Sequence, residues 1–138
     1  MDLITPAHRL TLRANAATIA QRGGSAAHDP LPVVKLFNPV SAATWLATEL
    51  DGDGDTLFGL ADLGFGCPEL GSFSLAEIAA LRLPFGLRIE RDLAFTTSFP
   101  LSRWADTARA AGSIIAAEQR LRLARPPIPT LPPPSGDG

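Results

Sequence analysis

Thr44-Trp45-Leu46-Ala47-Thr48-Glu49-Leu50, then Asp51-Gly52-Asp53-Gly54-Asp55, then Thr56-Leu57-Phe58-Gly59-Leu60-Ala61-Asp62-Leu63 is the stretch (residues 44–63) whose reading decides the fold. Two runs rich in β-branched, aromatic and aliphatic residues flank a short segment of Asp-Gly pairs, which supply the left-handed backbone that tight hairpin turns need. The runs are expected to be antiparallel neighbours. In the second, Leu57, Gly59, Ala61 and Leu63 alternate with Phe58, Leu60 and Asp62, so both faces are largely apolar and the strand belongs inside a sheet. Asp62 is then expected on a buried face.

On the N-terminal side, Pro32-Val33-Val34-Lys35-Leu36-Phe37 reads as another strand, closed by Asn38-Pro39. Before it, Thr5-Pro6 combines a capping hydroxyl with a proline at the first helical position, and a helix is expected from there to about Arg22. Gly23-Gly24 ends it, and the loop runs on over 23–32. On the C-terminal side, Gly64 to Pro68 turns the chain into a strand from Glu69 to Phe73. Ser74-Leu75-Ala76-Glu77 has the spacing of a capping box for a short helix that must stop before Pro84. The alternation from Leu87 to Phe95 predicts a further strand, its apolar side interrupted only by Arg91. Ser102 is expected to cap a third helix bearing Trp104 and Ala108, with Gly112 ending it or tolerated within it. From Arg125 the composition turns proline-rich, with Pro126, Pro129 and Pro132 at a three-residue period, so 125–138 is expected to be a disordered, polyproline-like tail. The fold expected is one α+β domain over 1–124, an antiparallel sheet of about four or five strands with N-terminal and C-terminal helices packed on it.

With 138 residues, 46% hydrophobic and 19% charged, the chain has the size and composition of a single globular domain. No run approaches the ~18 apolar residues of a membrane span. The start lacks the pattern of a signal peptide, so a cytoplasmic location is expected. One cysteine, Cys67, leaves no internal disulfide, and with only His8 and His28 no zinc spacing can be assembled. No cofactor is expected. Residues 36–81 carry seven acids and no Lys or Arg, and the net charge is −2, which gives poor electrostatic support to nucleic-acid binding. The acidic middle fits instead a protein partner that is basic or associated with nucleic acid.

Asp51, Asp53, Asp55 and Asp62 imitate four ligand positions of a calcium loop. Thr56 stands where that loop requires glycine, the last ligand is not glutamate, and the flanks are strands rather than helices. The acidic hairpin is the better reading. Cys67 has no evident base, and Gly64-Phe65-Gly66 lacks the third glycine and the following helix of a phosphate cradle. Glu49, Asp62 and Glu69, with Lys35 as counter-charge, could do acid/base work or hold a divalent ion, and could equally form a structural network. Arg91 is expected to pair with a buried acid. The candidate binding residues are therefore Asp51, Asp53, Asp55, Glu49, Asp62, Glu69, Lys35 and Arg91, with no catalytic or metal-ligating set assigned.

Four ordered blocks, Pro32 to Phe37, Ala43 to Leu50, Phe58 to Gly71 and Ile89 to Asp92, together resemble the domain of unknown function 2958 family over about residues 3–112. Members typically carry an aromatic residue where this chain has Cys67. The resemblance implies a small bacterial protein of the kind carried on plasmids, integrative elements and phages, without an assigned activity. Three readings are open, the first by that association. The first is a protein-binding module that modulates or inhibits a host-defence or nucleic-acid-processing complex, in the manner of an anti-CRISPR protein, through the acidic surface. The second is a small metal-dependent hydrolase using Glu49, Asp62 and Glu69. The third is a structural subunit of a plasmid transfer complex.

Overall fold

The structure is a computed structural model that describes residues 2–22 and 28–124. The Gly23-Gly24 helix stop and the proline-rich tail from Arg125 lie outside the described residues.

The first helix, α1 (Pro6–Gln21), begins as Thr5-Pro6 requires, and the cap is fuller than the sequence suggested. The Thr5 hydroxyl accepts the His8 N–H at 3.0 Å, while His8 Nδ1 accepts the Thr5 N–H at 3.1 Å, so an imidazole takes the place usually held by Glu or Gln. Strands β1 (Val34–Phe37), β2 (Thr44–Leu50), β3 (Thr56–Asp62) and β4 (Glu69–Ser74) follow, then the short helix α2 (Leu75–Ala80) and a two-residue strand β5 (Glu90–Arg91). All pairings are antiparallel, in the spatial order β4-β3-β2-β1-β5. β3 is thus an interior strand, and the α+β fold with an antiparallel sheet stands.

The sheet has a core on each face. Val34, Leu36, Trp45, Ala47 and Leu57 pack with Leu12 of α1 and Ile78 of α2 on one side. Leu46 and Leu60 pack on the other with helices α3 (Leu101–Ala111) and α4 (Ile114–Ala124), through Trp104, Ala108, Ile114, Ala117 and Leu121. A sheet covered on both sides explains why β2 and β3 read as nearly continuous apolar runs.

A bulge at Thr48 makes this possible. Ala47 pairs with Gly59 and Glu49 with Phe58, which leaves Thr48 without a partner across the ladder. Unbroken alternation would turn Leu50 away from Trp45 and Ala47; the extra residue returns it to their face, opposite Leu57. The orphaned backbone is satisfied from elsewhere: Asn15 of α1 donates its amide to the Thr48 carbonyl at 2.9 Å, and the Thr48 hydroxyl donates to the Phe58 carbonyl at 3.2 Å. Gly59 is obligatory beside the bulge, because a Cβ there would lie 1.8 Å from the Leu46 carbonyl oxygen.

Three local expectations are corrected. The strand expected over Leu87 to Phe95 is reduced to Glu90–Arg91, because Asp92 bends the chain: its carboxylate accepts the Ala94 N–H at 2.9 Å and its carbonyl the Phe95 N–H. Ser102 does not cap α3. Pro100 is the N-cap, and Ser102 lies in the first turn, where its N–H and hydroxyl both donate to the carboxylate of Asp29. Ser74 does accept the Glu77 N–H, but Glu77 returns no bond to it; Asp55 instead accepts the Ser74 hydroxyl and the Ala76 N–H at the start of α2. Gly112 adopts the left-handed conformation (φ 89°) and ends α3, and α4, which the sequence did not announce, turns back against it.

Candidate functional site

Built up from the hairpin, the acidic residues turn out to hold the frame together. Asp53 accepts the N–H groups of Asp55 and Thr56 at 2.8 Å each, and the Thr56 hydroxyl at 2.6 Å. Those bonds, the Thr56 hydroxyl first among them, hold its carboxyl down at a pKa of about 2. Asp55 reaches the next element: its carboxylate accepts the Ser74 hydroxyl at 2.6 Å and the Ala76 N–H at 2.7 Å, and its carbonyl accepts the Leu75 N–H. Asp51 accepts the Gly52 N–H at 3.0 Å. Cations from α1 lie across the same turn, Arg9 donating to the Gly54 carbonyl and Arg13 to the Leu50 carbonyl, both at 3.2 Å. A segment without basic residues in sequence is therefore answered in space by two arginines more than 35 positions upstream.

The other carboxylates do not converge. Thr44 pairs with Asp62 at one end of the β2–β3 hairpin and Glu49 with Phe58 near the other. Glu69 pairs with Ala61, which packs on the α1 face, whereas Asp62 is aimed at α4. No group of three or more His, Cys, Asp or Glu side chains that could hold a metal ion occurs among the described residues. Asp62 is fully buried, as its strand position implied, and has a structural partner: its two oxygens accept the N–H groups of Gly64 and Ile114, both at 2.9 Å. It thereby fastens the N-terminus of α4 to the sheet. Glu49 is half-buried, and that burial raises its pKa; His28 opposes the shift and Asp51 adds to it.

Lys35 crosses from β1 to α4. Its ammonium lies 2.9 Å from Glu118 and 3.4 Å from Asp92, with only 12% of the side chain exposed, and Arg122 joins Glu118 at 3.5 Å. Asp92, Glu118 and Arg122 form part of the rim of a cleft of about 400 Å³, over Phe95, Phe99, Trp104 and Leu121. Phe99 and Trp104 are nevertheless buried, the Trp104 indole N–H is already given to Thr97 at 3.0 Å, and the four charges are mutually balanced. Arg91 does not meet an acid as expected. Its guanidinium donates to the carbonyls of Leu3 at 2.9 Å and Asp2 at 3.4 Å and pins the segment leading into α1.

The side chains sequence reasoning missed are apolar. Phe65, in the loop between β3 and β4, is 84% exposed, and Phe85, in the turn Pro84–Gly86 between α2 and β5, is 93% exposed. The signal is Pro84-Phe85-Gly86, a turn composition with a large aromatic at its tip, of which Pro84 alone enters the sequence reading, as a helix stop. Cys67 is exposed in the Phe65 loop, with Arg109 close to the same shallow surface. No helix among the described residues is long and apolar enough to cross a membrane.

No curated protein and no solved structure matches the chain. A family model does, over residues 3–115, in agreement with the four sequence blocks, and the chain accordingly belongs to the family described as protein of unknown function (DUF2958).

Proposed function

We propose that the chain is a protein-binding module that modulates a complex encoded by a host or by the mobile element carrying the gene. The observation that supports this best is the contrast between its two kinds of unusual residue. Asp53, Asp55 and Asp62 are engaged in turns and helix starts, while large aromatic side chains stand in solvent on loops at Phe65 and Phe85. Single exposed apolar residues are ordinary on protein surfaces, but aromatic side chains, Phe among them, are enriched at interfaces. The hydrolase reading needs Glu49, Asp62 and Glu69 at one place, and the strand register separates them. The acidic contact proposed for the hairpin narrows to a supporting role beside an apolar one, since Arg9 and Arg13 already lie across it.

The test is affinity capture of the tagged chain from bacterial lysate at moderate salt, paired with thermal melts in Mg²⁺, Mn²⁺ and Ca²⁺. A stoichiometric protein partner and melts insensitive to cation are expected. A cation-dependent rise in Tm that Asp62→Asn removes would transfer the function to the metal-dependent class.

A further inference from the structure

This inference rests on the protein-binding reading and names its contact. Phe85 is the one non-glycine residue with positive φ among the described residues (φ 63°, ψ 24°), and Gly86 beside it has φ 71°. The Leu87 N–H donates to the Pro84 carbonyl at 3.2 Å and the Leu83 N–H to the Leu87 carbonyl at 3.0 Å. Those bonds and dihedrals are those of a type I′ turn, whose first central position favours Asn, Asp or Gly. A bulky L-residue there brings its Cβ against a carbonyl oxygen, which the left-handed region penalises. Contacts usually offset such strain. Here there are almost none, because the ring is 93% exposed and Pro84 and Gly86 are exposed with it. Residue 85 is thus unfavourable in its backbone and unrewarded in its side chain, the combination found where strain serves recognition rather than folding.

The flanking sequence carries a charge of one sign. Between Glu77 and Glu90 the only charged residues are Arg82 and Arg88, both exposed, one on either side of the turn. We propose that Phe85 is a preorganised anchor that enters an apolar pocket on a separate protein partner, with Arg82 and Arg88 meeting carboxylates at the pocket's rim. A rigid turn loses little freedom on binding, and a desolvated aromatic ring is the kind of group that carries an interface. A lipid surface fits less well: one ring and two arginines fall short of a single acyl chain, itself only a marginal anchor.

Six measurements decide it. Phe85→Asn is expected to keep or raise Tm, by up to about 2–6 °C as strain is relieved. It is also expected to weaken the partner captured by the wild type by about tenfold or more in Kd. Arg82→Glu should weaken the same complex, most strongly at low salt. A photo-crosslinking benzoylphenylalanine in place of Phe85 should join the partner at an apolar cavity with acidic residues beside it. A fall in Tm for Phe85→Asn would make the ring a packing element and overturn the proposal. A wild-type partner held with unchanged Kd by Phe85→Asn would overturn the anchor and leave the protein-binding reading standing, whereas no stoichiometric partner for the wild type would remove both. Binding to phosphatidylcholine–phosphatidylserine vesicles that Phe85→Asn abolishes would make the target a membrane. A doubled mass in light scattering lost in the same variant would place the pocket on a second copy, and either result would overturn the separate partner.

Discussion

Gly59 and Asp62, three residues apart on β3, are the two positions where single atoms govern the fold. At Gly59 the obstacle to any side chain is the Leu46 carbonyl at 1.8 Å, backbone that cannot swing aside without breaking the β2–β3 pairing. Gly59→Ala is expected to cost at least about 3 kcal/mol or to prevent folding, read from urea unfolding. Asp62→Ala would leave the Gly64 and Ile114 N–H groups without their acceptor, at a cost of about 3 kcal/mol, with faster amide exchange at Ile114. Asp62→Asn, which offers one oxygen instead of two, should lie between it and the wild type. Glu49 is the opposite kind of residue, a carboxyl whose surroundings favour its neutral form, chiefly because it is half-buried. A carboxyl with a raised folded-state pKa stabilises the protein below the unfolded value, 4.5, and that contribution is lost as pH rises through the folded value. Glu49→Gln is therefore expected to raise the urea midpoint at pH 7 and to flatten the decline above pH 4.5. The burial of Asp62 was legible from its place in an apolar alternation. What it bonds was not, because Ile114 lies 52 residues away and only the folded chain brings the two together.

At the level of elements, local chemistry was readable wherever both partners lie within a few residues. Thr5-Pro6 announced α1, and the Asp-Gly pairs announced the β2–β3 hairpin. Errors arose where a distant group takes over a local role: Asp29 serves the first turn of α3, and Asp55 serves the start of α2. The run from Leu87 to Phe95 alternates well enough for a long strand, yet only Glu90 and Arg91 pair with β1 before Asp92 turns the chain. The bulge at Thr48 was likewise invisible, since its cause is the fit of Leu50 into a core shared with Leu57 and α1. The capping box of α1 yields a pH prediction. His8 can accept the Thr5 N–H only while Nδ1 is unprotonated, and its pKa is lowered, first by burial and then by the charge of Arg91. With the folded value depressed, stability is full above the unfolded pKa of 6.5 and falls as pH drops below it. His8→Gln keeps the reciprocal bond without a titrating ring, so the urea midpoint of the wild type should fall relative to that of the variant between pH 7 and 5, the Glu49 contribution being common to both.

Over the whole molecule, the sheet is closed on one side by α1 and α2 and on the other by α3 and α4, and ion pairs and caps lock the layers. Lys35 and Asp62 both reach α4 from the sheet, and Arg91 holds the segment before α1. This is why the candidate residues, chosen as charges among strands, proved to be mostly joints of the framework: a charge inside an apolar strand must find a partner before it can do anything else. Chain-wide patterns showed the α+β class and the family, while the exposed aromatic rings were hidden because exposure is not written in hydrophobicity. Phe85 is an apolar residue like those of the core, and only its turn shows that it faces outward. Phe85, exposed and strained, is proposed to bind a protein. The most direct test is parallel quantitative capture from bacterial lysate with wild-type and Phe85→Asn baits, the variant being at least as stable as the wild type. One stoichiometric partner on the wild type and its loss from the variant is the result predicted; equal recovery on both baits, or none on the wild type, would contradict it.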